Sequence, residues 1–230
     1  MNVHLFLAFA IGLLFVACGN NKSADNNSPE KDQHIALSPV ATDTGKTYVL
    51  DEKNSVLNWK GSKKIGKSHF GKVNIKNGEF HFGTNGAFSG GTIVINMQSI
   101  QNVDIEDPSE RMKLEGHLKS ADFFNTEKYP EATFNISSIK EQLDSAKGTN
   151  YLATGSLTVK GITKPISFPL DLELQDQGFN ATGTIILNRT DWDVRFGSKN
   201  SFPDLIGNQV INDEVELSFS VKAELEGSIH

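Results

Sequence analysis

Residues 214–226 read EVELSFSVKAELE. Val215, Leu217, Phe219, Val221, Ala223 and Leu225 take every second position, and Glu, Ser and Lys fill the places between them. A period of two with charge on the alternate face describes a β-strand with one side buried and the other in water. This reading decides the fold class, because the same period recurs along most of the chain. Ile166, Phe168, Leu170, Leu172 and Leu174 repeat it, as do Phe179, Ala181, Gly183, Ile185 and Leu187. Tyr151, Ala153, Gly155, Leu157 and Val159 form a fourth set. Weaker alternation runs over residues 56–60, 73–82, 88–97 and 133–139, with a short segment at 47–50.

Eight or nine strands follow, divided by Gly, Asn and Asp turn signals. Short connections favour antiparallel pairing of sequence neighbours. A long antiparallel sheet with one apolar face must pack on a second sheet or close on itself. Inward Gly155 and Gly183, beside bulky Leu and Ile, suit strands that bend or an interior that leaves room. The expected architecture is therefore an all-β, eight-stranded antiparallel barrel in preference to a sandwich.

One stretch breaks the period, PSERMKLEGHLKSADFF at 108–124. Asp107 can cap a helix, Pro108 suits its first turn, and Glu110 lies three residues after the cap. Met112, Leu114 and Leu118 supply a partial apolar stripe. The spacing predicts one short helix between two strands, acting as a lid or corner. Phe123 and Phe124 leave its end, and Tyr129 and Pro130 turn the chain back into a strand. Such large apolar side chains in a polar connection need either a core or a ligand.

The first 17 residues contain no charged side chain and end at Cys18, the chain's only cysteine. The apolar run 5–17 has the length of a signal-peptide core, too short to cross a bilayer comfortably. Ala17 before Cys18 resembles a lipobox, which makes Cys18 the expected lipidation site. The competing reading is an ordinary cleaved signal. Residues 19–46 are rich in Asn, Ser, Asp, Lys and Pro without apolar periodicity, which predicts a flexible tether with an end-to-end distance of about 30 Å. The expected organisation is a signal at 1–17, a lipidated Cys and tether at 18–46, and one domain at 47–230. Acyl chains on Cys18 would anchor the chain to a membrane of the bacterial cell envelope, with the domain in the periplasm or at the cell surface.

The formal charge of −6 argues against a nucleic-acid partner and against simple electrostatic adhesion to anionic lipid. With Cys18 consumed, disulfides and Cys-ligated metals are excluded. The histidines outside the signal, at 34, 69, 81, 117 and 230, lack zinc-site spacing, and His69 and His81 could at most meet across a hairpin. His117 reads as a surface or mouth hydrogen-bonder. No nucleophile-elbow or phosphate-cradling motif occurs. No metal, catalytic residue or cofactor other than a bound lipid is expected. One cluster stands out, NRTDWDVRF at 188–196, which holds two of the chain's three arginines. Either an Arg–Asp pair stitches a wide loop to the barrel with Trp192 capping the core, or Arg189 or Arg195 contacts a ligand headgroup at the mouth.

GHLKSADFFNTEKYPEATF at 116–134, TGSLTVKGITKPISFPL at 154–170 and LNRTDWDVRFG at 187–197 together resemble the YceI family of periplasmic lipid-binding proteins. The likeness runs from about Thr47 to Leu225. It departs at Asp51-Glu52-Lys53-Asn54-Ser55, where the family has His in place of Asn54, at Asn208 after Gly207, and at Trp192. The resemblance implies an extended lipocalin-like barrel with a deep apolar cavity for a long-chain amphiphile such as a polyisoprenoid or isoprenoid quinone. On that reading Phe123, Phe124 and Phe134 close or line the cavity. Phe82, Phe88, Leu157, Phe168, Leu170, Ile185 and Phe219 are candidate lining residues, and Arg189 and Trp192 are candidates at the mouth. The leading function is binding, storage or transport of that lipid without catalysis. The alternatives are an envelope structural or stress-related module with a filled core, and an enzyme acting on a lipid or pigment. An exposed sheet edge would permit a homodimer.

Overall fold

The computed structural model describes residues 45–144 and 149–227. The expected signal, Cys18 and all but the last residues of the expected tether lie outside the described residues. Nine strands follow in order: β1 (Lys46–Leu50), β2 (Val56–Ser62), β3 (Ser68–Phe82), β4 (Phe88–Asn102), β5 (Glu131–Asp144), β6 (Thr149–Val159), β7 (Ile162–Gln175), β8 (Gly178–Asn188) and β9 (Glu214–Leu225). Helix α1 (Pro108–Lys119) interrupts them between β4 and β5. Each strand from β2 to β9 pairs antiparallel with its sequence neighbour, and β9 returns to pair with β2.

Nine strands fill eight barrel positions because β1 and β2 share one. Tyr48 on β1 lies opposite Phe80 on β3 and Leu225 on β9. Trp59 on β2 lies opposite Gly71 and Leu217 of the same two strands. Between them the Asp51 carboxylate accepts the N–H groups of Lys53 and Asn54 and the Asn54 side-chain amide, folding a tight Asx turn. Asn54 therefore holds this turn through both its backbone N–H and its side-chain amide. Every pairing of the closed sheet falls between residues 46 and 225, so this unit carries a complete barrel and its own core.

Closure pairs the strands that would otherwise end the sheet, removing the terminal edge expected as a dimer template. One discontinuity remains inside the wall. β6 and β7 stay in register to Val159↔Ile162, whereas β7 and β8 pair only from Asp171↔Thr182 to Gln175↔Gly178. The cause is a parity in the sequence. The Leu172 N–H points to the β6 side, where it meets Asn150 Oδ1 at 2.9 Å. Odd-numbered residues of β7 therefore turn their backbone toward β8, and two of them, Pro165 and Pro169, carry no N–H to donate. The strands splay there, leaving a flank cleft of about 450 Å³.

The alternating sets point as their period predicts. Ala153, Leu157, Phe168, Leu170, Phe179, Ala181, Val221 and Ala223 are all buried. Leu174 is the exception at 69% exposed, although it lies opposite buried Phe179 where β7 turns into β8. Gly155 and Gly183 are inward, but the room they leave is taken by neighbouring rings. A Cβ on Gly155 would lie 2.7 Å from the Phe134 ring, and one on Gly183 would lie 2.7 Å from the Phe219 ring. Phe134, Phe168 and Phe219, from alternate strands, then meet across the barrel at centroid separations of 5.4 and 5.7 Å.

Topology gives the barrel two unlike ends. The β2–β3 hairpin, α1 with its corner, the β6–β7 hairpin and the long β8–β9 connection gather at one. The other is sealed by aromatic rings packed edge to face. Phe80 meets Phe179 at 4.9 Å, and Phe82 meets both Tyr48 and Phe88 at 5.4 Å.

Candidate binding site in the barrel

α1 forms where its caps dictate. Asp107 Oδ1 accepts the Glu110 N–H at 2.9 Å, Pro108 opens the first turn, and the Ser120 N–H closes the last on the Gly116 and His117 carbonyls. The chain then folds back sharply. Phe124 N–H reaches the Leu118 carbonyl, Asn125 N–H reaches that of Ser120, and Asn125 takes φ 48°. This corner drives Phe123 and Phe124 into the barrel end, with Phe123 buried.

Beneath the corner lies a cavity of about 420 Å³. Its wall is apolar, from Leu57 and Trp59 on β2 through Met97 on β4 and Leu157 on β6 to Leu217 on β9. Leu114, Leu118, Phe123 and Phe124 close it from the α1 side, and Arg189, Trp192, Val194 and Phe196 from the β8–β9 connection. A second void of about 90 Å³ continues deeper into the barrel and is lined by apolar side chains alone. Leu57, Ile95, Leu157, Leu187 and Leu217 border both. Leu217 is half-buried and borders this space, and half-buried Ile185 and Leu187 border both it and the flank cleft. The interior is thus not packed solid, as a filled-core module would require.

The expected site residues divide into three groups. Phe123, Phe124, Leu157, Arg189 and Trp192 line the upper cavity. Phe134, Phe168, Leu170, Ile185 and Phe219, again with Leu157, line the deeper void. Phe82 and Phe88 border neither. They lie at the sealed end, where their strands meet at the β3–β4 hairpin and their rings pack against each other.

Arg189 is buried, yet its charge is fully engaged. Nε donates to the Asn212 carbonyl at 3.0 Å, and the terminal nitrogens donate to the Val194 and Ile211 carbonyls and to Asp213 Oδ1 at 2.6, 3.2 and 3.3 Å. Its guanidinium also sits 5.7 Å from the Phe123 ring centroid. Burial pushes its pKa down and the Asp213 carboxylate opposes that fall. This is the loop-stitching arrangement, with Asp213 as partner in place of the nearby Asp191 or Asp193. Arg195 instead pairs with Asp193 at 2.8 Å on the surface. Trp192 is buried, and its indole N–H donates to the Leu157 carbonyl at 3.0 Å.

Polar groups gather at the mouth. Ser62, Lys63, Lys67 and His69, from β2, β3 and the hairpin between them, border the upper cavity together with Asn212 and His117. His69 does not meet His81. Both are on β3, and His69 Nδ1 is 2.8 Å from Asp104 Oδ2. Burial works against ionisation of Asp104, but the Phe70 N–H, His69 and the Asn102 amide together hold its carboxyl below the usual carboxylate range. His117 contacts Phe196 and Phe123 through its ring edge, and its Nε2 is buried without a hydrogen-bond partner. Lys63 and Lys67 are not among the candidate residues that the sequence motifs mark, although the run SKKIGKSH at 62–69 is a dense basic stretch of an acidic chain. Among the described residues no group of three or more His, Cys, Asp or Glu is placed to hold a metal.

The sequence model of the YceI-like domain matches residues 48–223. A UPF0312 protein of Photorhabdus laumondii is 38% identical over 100 residues, covering 39% of this chain and 48% of that protein. Protein YceI of Escherichia coli is 38% identical over 98 residues, covering 39% and 49%. The chain spans about half the length of these curated relatives. Among solved structures, a polyisoprenoid binding domain from Saccharophagus degradans superposes with a TM-score of 0.55 at 19% identity, covering 77% of this chain and 98% of that one. BcnA of Burkholderia cenocepacia gives 0.53 at 20% identity, covering 75% and 98%. At these identities the two structures establish the shared fold.

Proposed function

The chain belongs to the YceI-like domain family, and from that premise we propose that its barrel binds one long-chain amphiphile, a polyisoprenoid or isoprenoid quinone, without chemical change. The observation that carries the reading is the apolar space running from the α1 end into the barrel, closed at the far end by the aromatic cluster. An apolar void of this kind is not a favourable place for water. A hydrocarbon tail suits it, and each buried CH₂ contributes roughly 0.8 kcal/mol, so about 20 tail carbons give a gross ~16 kcal/mol before the costs of binding. Likeness in fold to a domain described as polyisoprenoid binding supports the choice of tail. The sealed end requires the tail to enter first and the headgroup to remain near Lys63, Lys67 and His117. Attached through Cys18 to a membrane of the cell envelope, such a protein would store or carry its lipid.

Trp59 and Trp192 are the chain's only tryptophans, and both line the cavity. Intrinsic fluorescence therefore reports occupancy directly. Titration of residues 45–230 with polyprenols of increasing length and with an isoprenoid quinone should give a saturable change at one equivalent, steeper for longer tails. Absence of any saturable change across that series would overturn the reading.

A further inference from the structure

The charge of the whole chain hides a local reversal at the cavity mouth. The β2–β3 hairpin carries Lys63, Lys64 and Lys67, and no carboxylate among the described residues pairs with any of them. Between them Ile65 stands 65% exposed at the hairpin tip. The hairpin is bonded to the β8–β9 connection, Lys64 N–H to the Val210 carbonyl at 2.9 Å and the Asn212 amide to Ser62 Oγ at 2.8 Å. That connection presents Phe196, Phe202 and Ile206, all exposed, with Ile206 at 71%. Residues 61–70 and 196–211 together hold four lysines against the single acid Asp204, in a chain whose net charge is −6. Lys199 is turned inward onto the Pro203 and Leu205 carbonyls, which holds the loop carrying Phe202 and Ile206 in shape.

We propose that this apolar and basic patch is a docking surface for an anionic phospholipid bilayer, through which the cavity exchanges its lipid. The proposal rests on the cavity reading above and adds the surface that serves it. Charge complementarity selects the occupant: long lysines flanking an exposed Ile can bury their stems while their ammonium groups meet lipid phosphates. Asp104, at the start of the neighbouring β4–α1 connection, is the acid that touches the patch, and it is engaged by His69 and the Phe70 N–H, while Glu106, Asp107 and Glu110 lie beyond it outside both segments. Continuity with the cavity gives the patch its purpose. Phe196, Lys63 and Lys67 border both the cavity and the patch, so a tail passing between bilayer and barrel need not cross water. Exposing that tail would cost about 0.8 kcal/mol per CH₂, which sets a high barrier for any route through solvent.

The test uses residues 45–230, the complete barrel, so that the apolar segment 5–17 cannot insert by itself. Partitioning is measured on phosphatidylethanolamine–phosphatidylglycerol vesicles and on pure phosphatidylcholine vesicles. The variant combines Lys64→Glu, Ile65→Ser and Ile206→Ser, none of which lines the cavity, and Leu174→Ser at the sealed end is the control. The unaltered chain should prefer the anionic vesicles. The triple variant should lose about tenfold or more in partitioning, since one lysine near the surface is itself worth about fivefold, and the control should lose nothing. Equal partitioning of the triple variant and the unaltered chain, or indifference of the unaltered chain to anionic lipid, would overturn the proposal. Tryptophan fluorescence with a soluble short-chain polyprenol, run on every variant without vesicles, reports the cavity separately. It should be unchanged in the triple variant, which shows that the barrel is intact. Failure of that readout in the unaltered chain would count against the cavity reading, while the vesicle measurement decides the docking surface by itself.

Discussion

The Arg189 guanidinium and the Asp213 carboxylate face each other at 3.3 Å across the base of the β8–β9 connection, with side chains only 3% and 13% exposed. The pair fixes the start and the end of the connection that roofs the cavity, and the remaining Arg189 donors hold carbonyls between them. Replacement by Ala leaves Asp213 without its cation and three carbonyls without their donor. Arg189→Ala should destabilise the barrel by about 3–5 kcal/mol. Arg189→Lys should recover only part of this, because an ammonium lacks the planar fork. Thermal and urea unfolding of the three proteins check the order. An Arg189→Ala protein as stable as the parent would refute the stitching role.

Gly155 makes a different demand. Its missing Cβ is what allows Phe134 to lie across β6, and a methyl group there would also stand 2.2 Å from the Asn135 carbonyl oxygen. Gly155→Ala should cost about 1–3 kcal/mol by overpacking. Gly116, whose added Cβ would meet nothing within 4 Å, should tolerate Ala with little change or a gain in helix stability. Parallel denaturation curves decide it.

Leu157 borders both cavities, so a larger side chain there obstructs the path from mouth to deep void. Leu157→Trp should weaken binding of long-chain polyprenols by about tenfold or more while the sheet still forms. Tail-length dependence separates this from misfolding: a short-chain ligand should be affected less than a long one.

Asp104 predicts an acid sensitivity at the mouth. Its carboxyl is harder to protonate in the folded barrel than in the unfolded chain, so its contribution is present above the ordinary carboxylate range and is lost as pH falls through and below it. Asp104→Asn should lower stability at neutral pH and flatten the loss on acidification, read from melting temperature against pH. A variant with the same pH slope as the parent would remove Asp104 from this account.

Much of the fold was legible because a half-buried strand writes its burial into alternate positions, as buried Val221 and Ala223 show between Ser220, Lys222 and Glu224. The α1 cap was legible for a related reason: Asp107, Pro108 and Glu110 act within one turn of each other. Long-range partners were not. Nothing near Arg189 marks Asp213 over Asp191, because the choice is made by how a connection of more than twenty residues folds back. Phe82 and Phe88 read as lining for the same reason that Phe168 did, and only closure of the barrel separates a sealed end from an open one. The splay of β7 from β8 was available in the spacing of Pro165 and Pro169, two residues of equal parity in one strand.

The central claim, a lipid in the barrel, is met most directly by native mass spectrometry of residues 45–230 purified without detergent, with organic extraction and identification of any lipid released. The account predicts a one-to-one adduct with the mass of a single isoprenoid lipid, removed by extraction and restored when that lipid is offered again. A bare protein mass that stays bare when polyprenols and isoprenoid quinones are supplied would contradict it.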